Sequence, residues 1–251
     1  VNPTDSKRRS NGRELDRFPR IVPHQDGAGV IDQVGEGVDP SRIGRRVWVF
    51  AAQAKRPFGT AADFTCVPSD YAIDLPEGTG FDAGACLGVP AVTAHRSLFA
   101  DGDIKGKTVL VTGATGRVGR YAVQLAKWAG ARVIATASTP EKRAEAEALG
   151  ADVAIPHGKE LLEAAKEAAP KGVDHVVDVA FGTNIEAVTV LMRPNGTIAT
   201  YASDAVPAPV LPFHLLMYKN INIRLVAIFD MPEAAKRQAF ADITRCLTEG
   251  G

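Results

Sequence analysis

The sequence has no net charge and no long hydrophobic run. Its 251 residues carry 29 Lys plus Arg against 29 Asp plus Glu, so no overall positive field attracts nucleic acid or an anionic membrane. No apolar run reaches the roughly 20 residues of a bilayer span, and the first residues lack the features of a secretory signal. We therefore expect a cytoplasmic protein that acts on a small molecule, with no nucleic-acid or membrane partner.

Cysteine is scarce as well. Cys66, Cys86 and Cys246 are isolated, which provides neither a disulfide framework nor a Cys-x-x-Cys metal clip. We interpret them as buried or incidental thiols. Because the chain begins at valine and ends just after a helical pattern, we also expect it to be a fragment of a longer protein.

The most informative segment that is present is a β-branched run from Lys107 that leads into glycines 113, 116 and 119. Glycine permits a positive φ and a close backbone approach, and the N-terminus of a following helix attracts an anion. Apolar residues recur with helical spacing from Val118 to Ala129. This strand, turn and helix together predict a dinucleotide-binding turn.

The chain around this turn changes character along its length. Residues 1–20 are basic, with Arg13 and Lys7 among the cations, and we expect a solvated or mobile loop there. Short β-like runs at 29–31, 46–50 and 64–67, separated by turn residues, predict an irregular β domain. Residues 81–99 have a helical pattern.

After residue 99, strands and helices alternate. We predict strands at 108–112, 132–136, 153–155, 174–179, 197–201 and 222–228, and helices near 117–129, 140–149, 159–168, 184–192 and 232–248. Such alternation implies a parallel sheet covered on both faces. The fold class is therefore α/β, with a doubly wound parallel Rossmann sheet preceded by a partly β domain.

The end of the second predicted strand indicates which dinucleotide binds. An NAD site places an acid about 20 residues after the glycines, but the strand here leads to Ser138 and Thr139. Thr139 is typical of an N-cap, with Pro140 following it. Lys142 then falls in a helix first turn, where a cation is unfavourable unless an anion is near. A ribose 2′-phosphate held by Ser138 and Lys142 would be such an anion, so this segment predicts NADPH as the cofactor. The alternative is that Lys142 is an ordinary solvated lysine.

Two reductase families use a comparable glycine turn. Thr112-Gly-Ala-Thr-Gly116 resembles the opening of short-chain dehydrogenases. In that family, however, the motif belongs to the first strand of the protein, and a Tyr-x-x-x-Lys pair transfers protons. No tyrosine of this chain has a lysine four residues later.

The order of motifs instead resembles the medium-chain dehydrogenase/reductase superfamily, in its zinc-free quinone oxidoreductase branch (the zeta-crystallin type). The motifs that carry this resemblance are Val1-Asn-Pro-Thr-Asp5, Asp26-Gly-Ala-Gly-Val30, Val34-Gly-Glu-Gly37, Gly44-Arg-Arg-Val47, Gly88-Val-Pro-Ala-Val-Thr-Ala94, Gly113-Ala-Thr-Gly-Arg-Val-Gly119 and Leu149-Gly-Ala-Asp152. The resemblance implies a GroES-like catalytic domain at 1–97 with an incomplete N-terminus and an NADP-binding Rossmann domain at 98–229. It also implies a terminal helix at 230–251 that leads to a missing return segment.

The resemblance also bears on metal. Zinc-dependent relatives carry a Gly-His-Glu site and a cysteine-rich lobe, whereas this chain has Pro23-His-Gln-Asp26 and no cysteine cluster. His24 alone is one ligand, which does not make a zinc site. We expect no metal and interpret His24 as structural or pocket-lining.

The resemblance implies the catalytic groups. Asn2 would lie near the nicotinamide and substrate, and Thr93 would contact the nicotinamide end, unless it only bonds its own helix backbone. Lys7 stands where many quinone reductases have tyrosine. Its ammonium would stabilise a developing enolate or hydroquinone anion and donate a proton; the alternative is a lysine of the basic loop.

Further cofactor contacts are implied position by position. Those at the pyrophosphate are Thr115, Gly116, Arg117 and Val118, where Arg117 replaces the usual glycine and either clamps the phosphates or points to solvent. Those after the later strands are His157, Ala180, Tyr201, Ser203 and, facing the nicotinamide pocket, Phe229. Their strand ends place them at the carboxyl edge of the sheet, where ligands bind.

The function implied is an NADPH-dependent reductase of a quinone or an α,β-unsaturated carbonyl, without a metal. The alternatives are a zinc-free alcohol dehydrogenase and a non-catalytic NADPH-binding protein with an RNA-binding or structural role. The family also implies a homodimer that joins sheets through the last strand, and residues 222–228 are apolar enough for this.

Overall fold

The structure is a computed structural model that describes residues 1–11 and 17–250. Its contacts divide the chain into two units, residues 1–92 with 228–250 and residues 93–227. Thr93 therefore belongs to the second unit and Phe229 to the first, whereas the boundaries expected from sequence had each on the other side. No helix in the described part of the chain is both long and apolar enough to cross a bilayer.

A small antiparallel sheet organises the first unit. Its strands are β1 (Gly27–Val30), β2 (Arg46–Val49) and β3 (Ala72–Asp74), in that order across the sheet. The α-helices described along this part of the chain are α1 (Pro3–Asn11), α2 (Phe81–Gly84) and α3 (Gly88–Phe99). The division between the two units falls within α3. Trp48 and Phe50 on and after β2 are fully buried and supply the core side chains of this sheet.

The second unit is the predicted Rossmann sheet. Six parallel strands within the described residues follow the order β6-β5-β4-β7-β8-β9, where β4 is Thr108–Val111, β5 Arg132–Ala137, β6 Val153–Pro156, β7 Val173–Asp178, β8 Met192–Thr200 and β9 Asn222–Leu225. The connecting helices are α4 (Arg117–Trp128), α5 (Pro140–Ala148), α6 (Leu161–Ala168), α7 (Phe181–Leu191) and α8 (Phe213–Tyr218). The α/β fold class is thus confirmed. The strand order reverses at β4 and β7, and ligands bind at such a point in open sheets.

The last helix returns to the first unit. Helix α9 (Glu233–Thr248) packs Phe240 against Trp48 and Phe50, with ring centroids 5.5 and 5.3 Å apart. Its Lys236 is only 4% exposed, and the ammonium donates to the Tyr71 hydroxyl at 2.9 Å. The first unit is consequently built from two separate stretches of sequence.

Three local predictions are corrected by the structure. The basic N-terminal stretch is helical over Pro3–Asn11, because Pro3 suits a helix start and the Asp5 carboxylate accepts the Asn2 backbone N–H at 2.7 Å; Arg13 lies outside the described residues. Residues 64–67 form no strand, since no neighbouring strand pairs with them among the described residues, and Phe64 is 77% exposed. The last parallel strand ends at Leu225 and not at residue 228.

Candidate functional site

The glycine turn between β4 and α4 forms a close-packed cradle. Gly113 has a φ of 64°, which a side chain would strain. A Cβ at Gly119 would lie 2.2 Å from the Gly113 carbonyl oxygen, so only glycine lets α4 start this close to the turn. Gly116 is the N-cap of α4, and no side chain among the described residues caps that end. The first-turn N–H groups are therefore suited to an anion, and the turn fits a dinucleotide pyrophosphate.

A buried carboxylate ties this turn to the neighbouring strand end. Asp178, 1% exposed, accepts hydrogen bonds from the Thr112 hydroxyl at 2.7 Å and from the Asn184 amide at 2.7 Å. The backbone N–H of Ala180 donates to its other oxygen at 3.1 Å. The Thr112 hydroxyl in turn accepts the N–H of Val179 at 3.0 Å. Burial raises the pKa of Asp178, opposed by these donors. The network fixes both strand ends at the point where the strand order reverses.

The residues expected to read the ribose phosphate lie at the end of β5. Thr139 is the N-cap of α5, and its hydroxyl accepts the Lys142 backbone N–H at 3.3 Å, which confirms the predicted cap with Pro140 behind it. Ser138 and Lys142 are both exposed. Glu141, also exposed, has its pKa lowered, chiefly by a hydrogen bond from Thr139. The exposed hydroxyl and ammonium follow the carboxyl end of a strand and are open to a ligand phosphate.

The remaining residues expected at the cofactor also follow strand ends. His157 is exposed after β6, and Ala180 is the N-cap of α7 after β7. Tyr201 follows β8, and burial together with the nearby Asp178 charge raises the pKa of its phenol. The Ser203 hydroxyl is already used: it accepts the Gly182 N–H at 2.9 Å and donates to the Val206 carbonyl at 2.6 Å.

Three pyrophosphate residues and Phe229 complete the expected set. Arg117 is exposed on the first turn of α4, and Thr115 and Val118 are partly buried beside it. Phe229 belongs to the first unit, where the guanidinium of Arg8 lies 5.4 Å from its ring centroid.

The residues expected at the substrate belong to different units. Asn2 is buried in the first unit, 4% exposed, and Lys7 is exposed on α1. Thr93 is buried on α3 in the second unit, and its carbonyl accepts the Ser97 hydroxyl at 2.8 Å.

Asn2 is held by two carboxylates. Its backbone N–H donates to Asp5, and its side-chain amide donates to Asp26 at 2.6 Å. The other oxygen of Asp26 accepts the Val89 N–H at 2.8 Å, near the start of α3. Burial, supported by the Asp5 charge, raises the pKa of Asp26 to about 6, although both hydrogen bonds oppose this.

Sequence reasoning did not identify Asp26 or Asp178 as functional residues. In the sequence, Asp26 was noted only as the first residue of a glycine motif, and Asp178 only as a residue near the end of an apolar strand. The sequence did contain a signal for Asp178, because a carboxylate at the end of a buried strand needs hydrogen-bond donors nearby. Asp26 gave no comparable signal, since Asn2 and Val89 are far from it in sequence.

The described residues contain no group of three or more His, Cys, Asp or Glu side chains placed to hold a metal ion. Of the three thiols interpreted as buried or incidental, Cys246 is buried, and Cys66 and Cys86 are exposed.

Comparison with known proteins finds matches to two families in different parts of the chain. Residues 1–77 match the alcohol dehydrogenase GroES-like domain, and residues 118–247 match the zinc-binding dehydrogenase family. A zinc-type alcohol dehydrogenase-like protein of Staphylococcus epidermidis is 30% identical over 80% of this chain and 60% of its own length. The quinone oxidoreductase of Sus scrofa is 28% identical over 100% of this chain and 74% of its own length.

A solved structure also matches nearly the whole chain. A mycobacterial protein in complex with NADPH superposes with a TM-score of 0.80 at 25% identity, over 99% of this chain and 76% of that one. This chain thus spans 60% of the staphylococcal relative and about three quarters of the other two proteins.

Proposed function

Because the chain belongs to the medium-chain dehydrogenase/reductase superfamily, in its quinone oxidoreductase-like branch, we propose that it is an NADPH-dependent reductase. Its acceptor is a quinone or an α,β-unsaturated carbonyl, and it needs no metal. The observation that carries the proposal is the glycine cradle followed, at the end of β5, by Ser138 and Lys142 in place of an acid. NADPH supplies the hydride; the protein holds, orients and polarises.

The cofactor is held through the second unit. The N–H groups at the start of α4 bind the pyrophosphate, with Arg117 beside them. Ser138 and Lys142 bind the 2′-phosphate, and His157, Ala180, Tyr201 and Ser203 line the same strand ends. This arrangement is supported by the relative solved with NADPH, whose fold matches this chain.

Selectivity for the phosphate tests the Lys142 assignment. Lys142→Ala should weaken NADPH binding by about tenfold or more, the equivalent of one charge-assisted hydrogen bond, and leave NADH binding unchanged. Lys166→Ala is the matched control, since it removes an exposed ammonium on α6. Calorimetric titration of all three proteins with both cofactors measures this. Equal losses for NADPH and NADH would contradict the assignment.

In the first unit, Asn2 positions the substrate, and the Lys7 ammonium stabilises the anion that forms on the acceptor oxygen and donates the proton; in the second unit, Thr93 contacts the nicotinamide end of the cofactor. Lys7→Met should lower kcat by about 10²-fold or more for general acid catalysis. Arg9→Met, which removes an exposed cation two residues away, should not. Equal effects of the two substitutions would make Lys7 an ordinary surface cation.

The reaction itself is tested by NADPH oxidation with 1,4-quinones, enones and alkenals. The proposal expects turnover with at least one class, unaffected by chelators. No oxidation above the blank with any acceptor would overturn it, and reduction of NADP⁺ by alcohols would establish an alcohol dehydrogenase instead.

The protein is further proposed to be a cytoplasmic homodimer. Strand β9 is an edge of the parallel sheet, and its Leu225 is 74% exposed, while Phe213 and Tyr218 on α8 are 64% and 79% exposed. An edge strand with an exposed apolar side chain, next to exposed aromatic side chains, favours pairing. Leu225→Lys should convert a dimer to a monomer in sedimentation, whereas Phe64→Lys, an exposed apolar site in the first unit, should not. A monomeric parent protein would overturn the proposal.

A further inference from the structure

The Asp26 carboxylate joins two distant pieces of the first unit. One oxygen accepts the Asn2 side-chain amide at 2.6 Å and the other accepts the Val89 N–H at 2.8 Å. Gly88 makes this approach possible, because a Cβ there would lie 2.2 Å from the Asp26 oxygen. The backbone carbonyl of Asp26 is also bound, by the Thr60 hydroxyl at 2.5 Å. These contacts hold the Asp26 carboxylate in place independently of Asn2.

This contact determines which way the Asn2 amide faces. An ionised carboxylate only accepts hydrogen bonds, so the NH₂ of Asn2 must face Asp26 and its carbonyl oxygen must face away. The backbone N–H of Asn2 is held by Asp5, which removes the freedom of the residue to rotate as a whole. A protonated Asp26 could donate instead, and the amide would then be free to turn over.

The ionised form is not the one that the fold favours. Burial and the Asp5 carboxylate on α1 raise the pKa of Asp26 to about 6, while the amides of Asn2 and Val89 lower it. A neutral amide at position 26 would avoid this burial of charge. A costly charge is characteristic of residues retained for function.

We propose that Asp26 is a positioning residue, whose ionised carboxylate locks the side-chain amide of Asn2 in one orientation toward the substrate. The inference rests on the proposed function for the role of Asn2, but the orientation itself does not. Protonation of Asp26 releases the lock, so the reductase should lose activity as the pH falls through about 6.

The orientation is tested without any activity measurement. In the ¹⁵N-labelled protein, the side-chain amide signals of Asn2 should shift with a midpoint near pH 6, and Asp26→Asn should abolish that shift. The substitution conserves size, and circular dichroism verifies that the variant is folded. Amide signals that do not respond to pH between 5 and 8 in the parent protein would overturn the lock, whatever the enzyme reduces.

The effect on catalysis is tested by a double-mutant cycle. Asp26→Asn should lower kcat by about tenfold, the equivalent of one lost hydrogen bond to a charged group, without changing the Kd for NADPH. It should also remove the acidic limb of the pH profile. Combined with Asn2→Ala, it should add no further loss, because Asp26 acts through Asn2. Additive losses would assign Asp26 a separate structural role, and a parent protein with no activity would refute the proposed function while leaving the amide titration valid.

Discussion

Replacing Asp26 with asparagine should favour the stability of the first unit more at neutral pH than at acid pH. A pKa of about 6, against an ordinary 3.8, means that the native state binds its proton more tightly than the unfolded chain does. The stability that Asp26 contributes is therefore fully present below pH 3.8 and is lost as the pH rises through 6. This loss is about 2.5 kcal/mol between pH 4 and pH 7.5.

The measurement compares two unfolding curves at each pH. Trp48 is fully buried in the first unit, so in a Trp128→Phe background its fluorescence reports on this unit alone. Urea unfolding of parent and Asp26→Asn proteins at pH 4, 5, 6 and 7.5 gives the difference in the free energy of unfolding. That difference should move in favour of the variant by about 2.5 kcal/mol across the range, with most of the change below pH 6.

A control of opposite sign is available in the same unit. The pKa of exposed Asp39 is lowered, mainly by hydrogen bonds from Ser41, so its contribution is lost as the pH falls. As the pH rises, the difference in the free energy of unfolding between the Asp39→Asn and parent proteins should therefore move slightly in favour of the parent. The reasoning would be refuted if the free energies of unfolding of the parent and Asp26→Asn proteins differed by the same amount at every pH. Asp26 would then have the same pKa in the native and the unfolded state.

Two further predictions concern the second unit. Gly119→Ala should destabilise it by about 1–3 kcal/mol and weaken NADPH binding, because the new Cβ meets the Gly113 oxygen at 2.2 Å; unchanged thermal unfolding would show that the turn relaxes. Burial lowers the pKa of His175 to about 4, while its ring nitrogen bonds the Ser97 carbonyl at 2.8 Å, so stability should fall as the pH drops from 6.5 to 4. Between pH 7 and pH 4, the free energy of unfolding of the His175→Gln protein should fall by about 3 kcal/mol less than that of the parent protein. Urea unfolding followed by Trp128 fluorescence measures this, and equal losses in the two proteins would contradict the prediction.

The second unit could be predicted from sequence because its signals are local. The glycine turn, the Thr139 cap and the buried strands each depend on residues close together in the chain, and the helices and strands lie within a few residues of the expected bounds. Helix α8 was missed because it is short, and its exposed side chains lack a clear apolar stripe.

The first unit was less predictable because its order depends on distant partners. The basic charges of residues 1–20 indicated a loop, but Asp5 acts as an acceptor for the chain start and α1 forms. The run at 64–67 has the composition of a strand, but a strand also needs a neighbour. Asp26 acquires its raised pKa from Asn2, Asp5 and the start of α3, none of which is adjacent to it in sequence.

The return of α9 to the first unit bears on the order in which the chain folds. Trp48 and Phe50 receive Phe240 from a helix that is synthesised only after all of residues 93–227. The second unit has its own sheet and core in one continuous stretch, so it can fold as soon as it leaves the ribosome. The part of the protein that is made first is therefore the part that is completed last, because Trp48 and Phe50 gain their contact with Phe240 only once α9 has been synthesised.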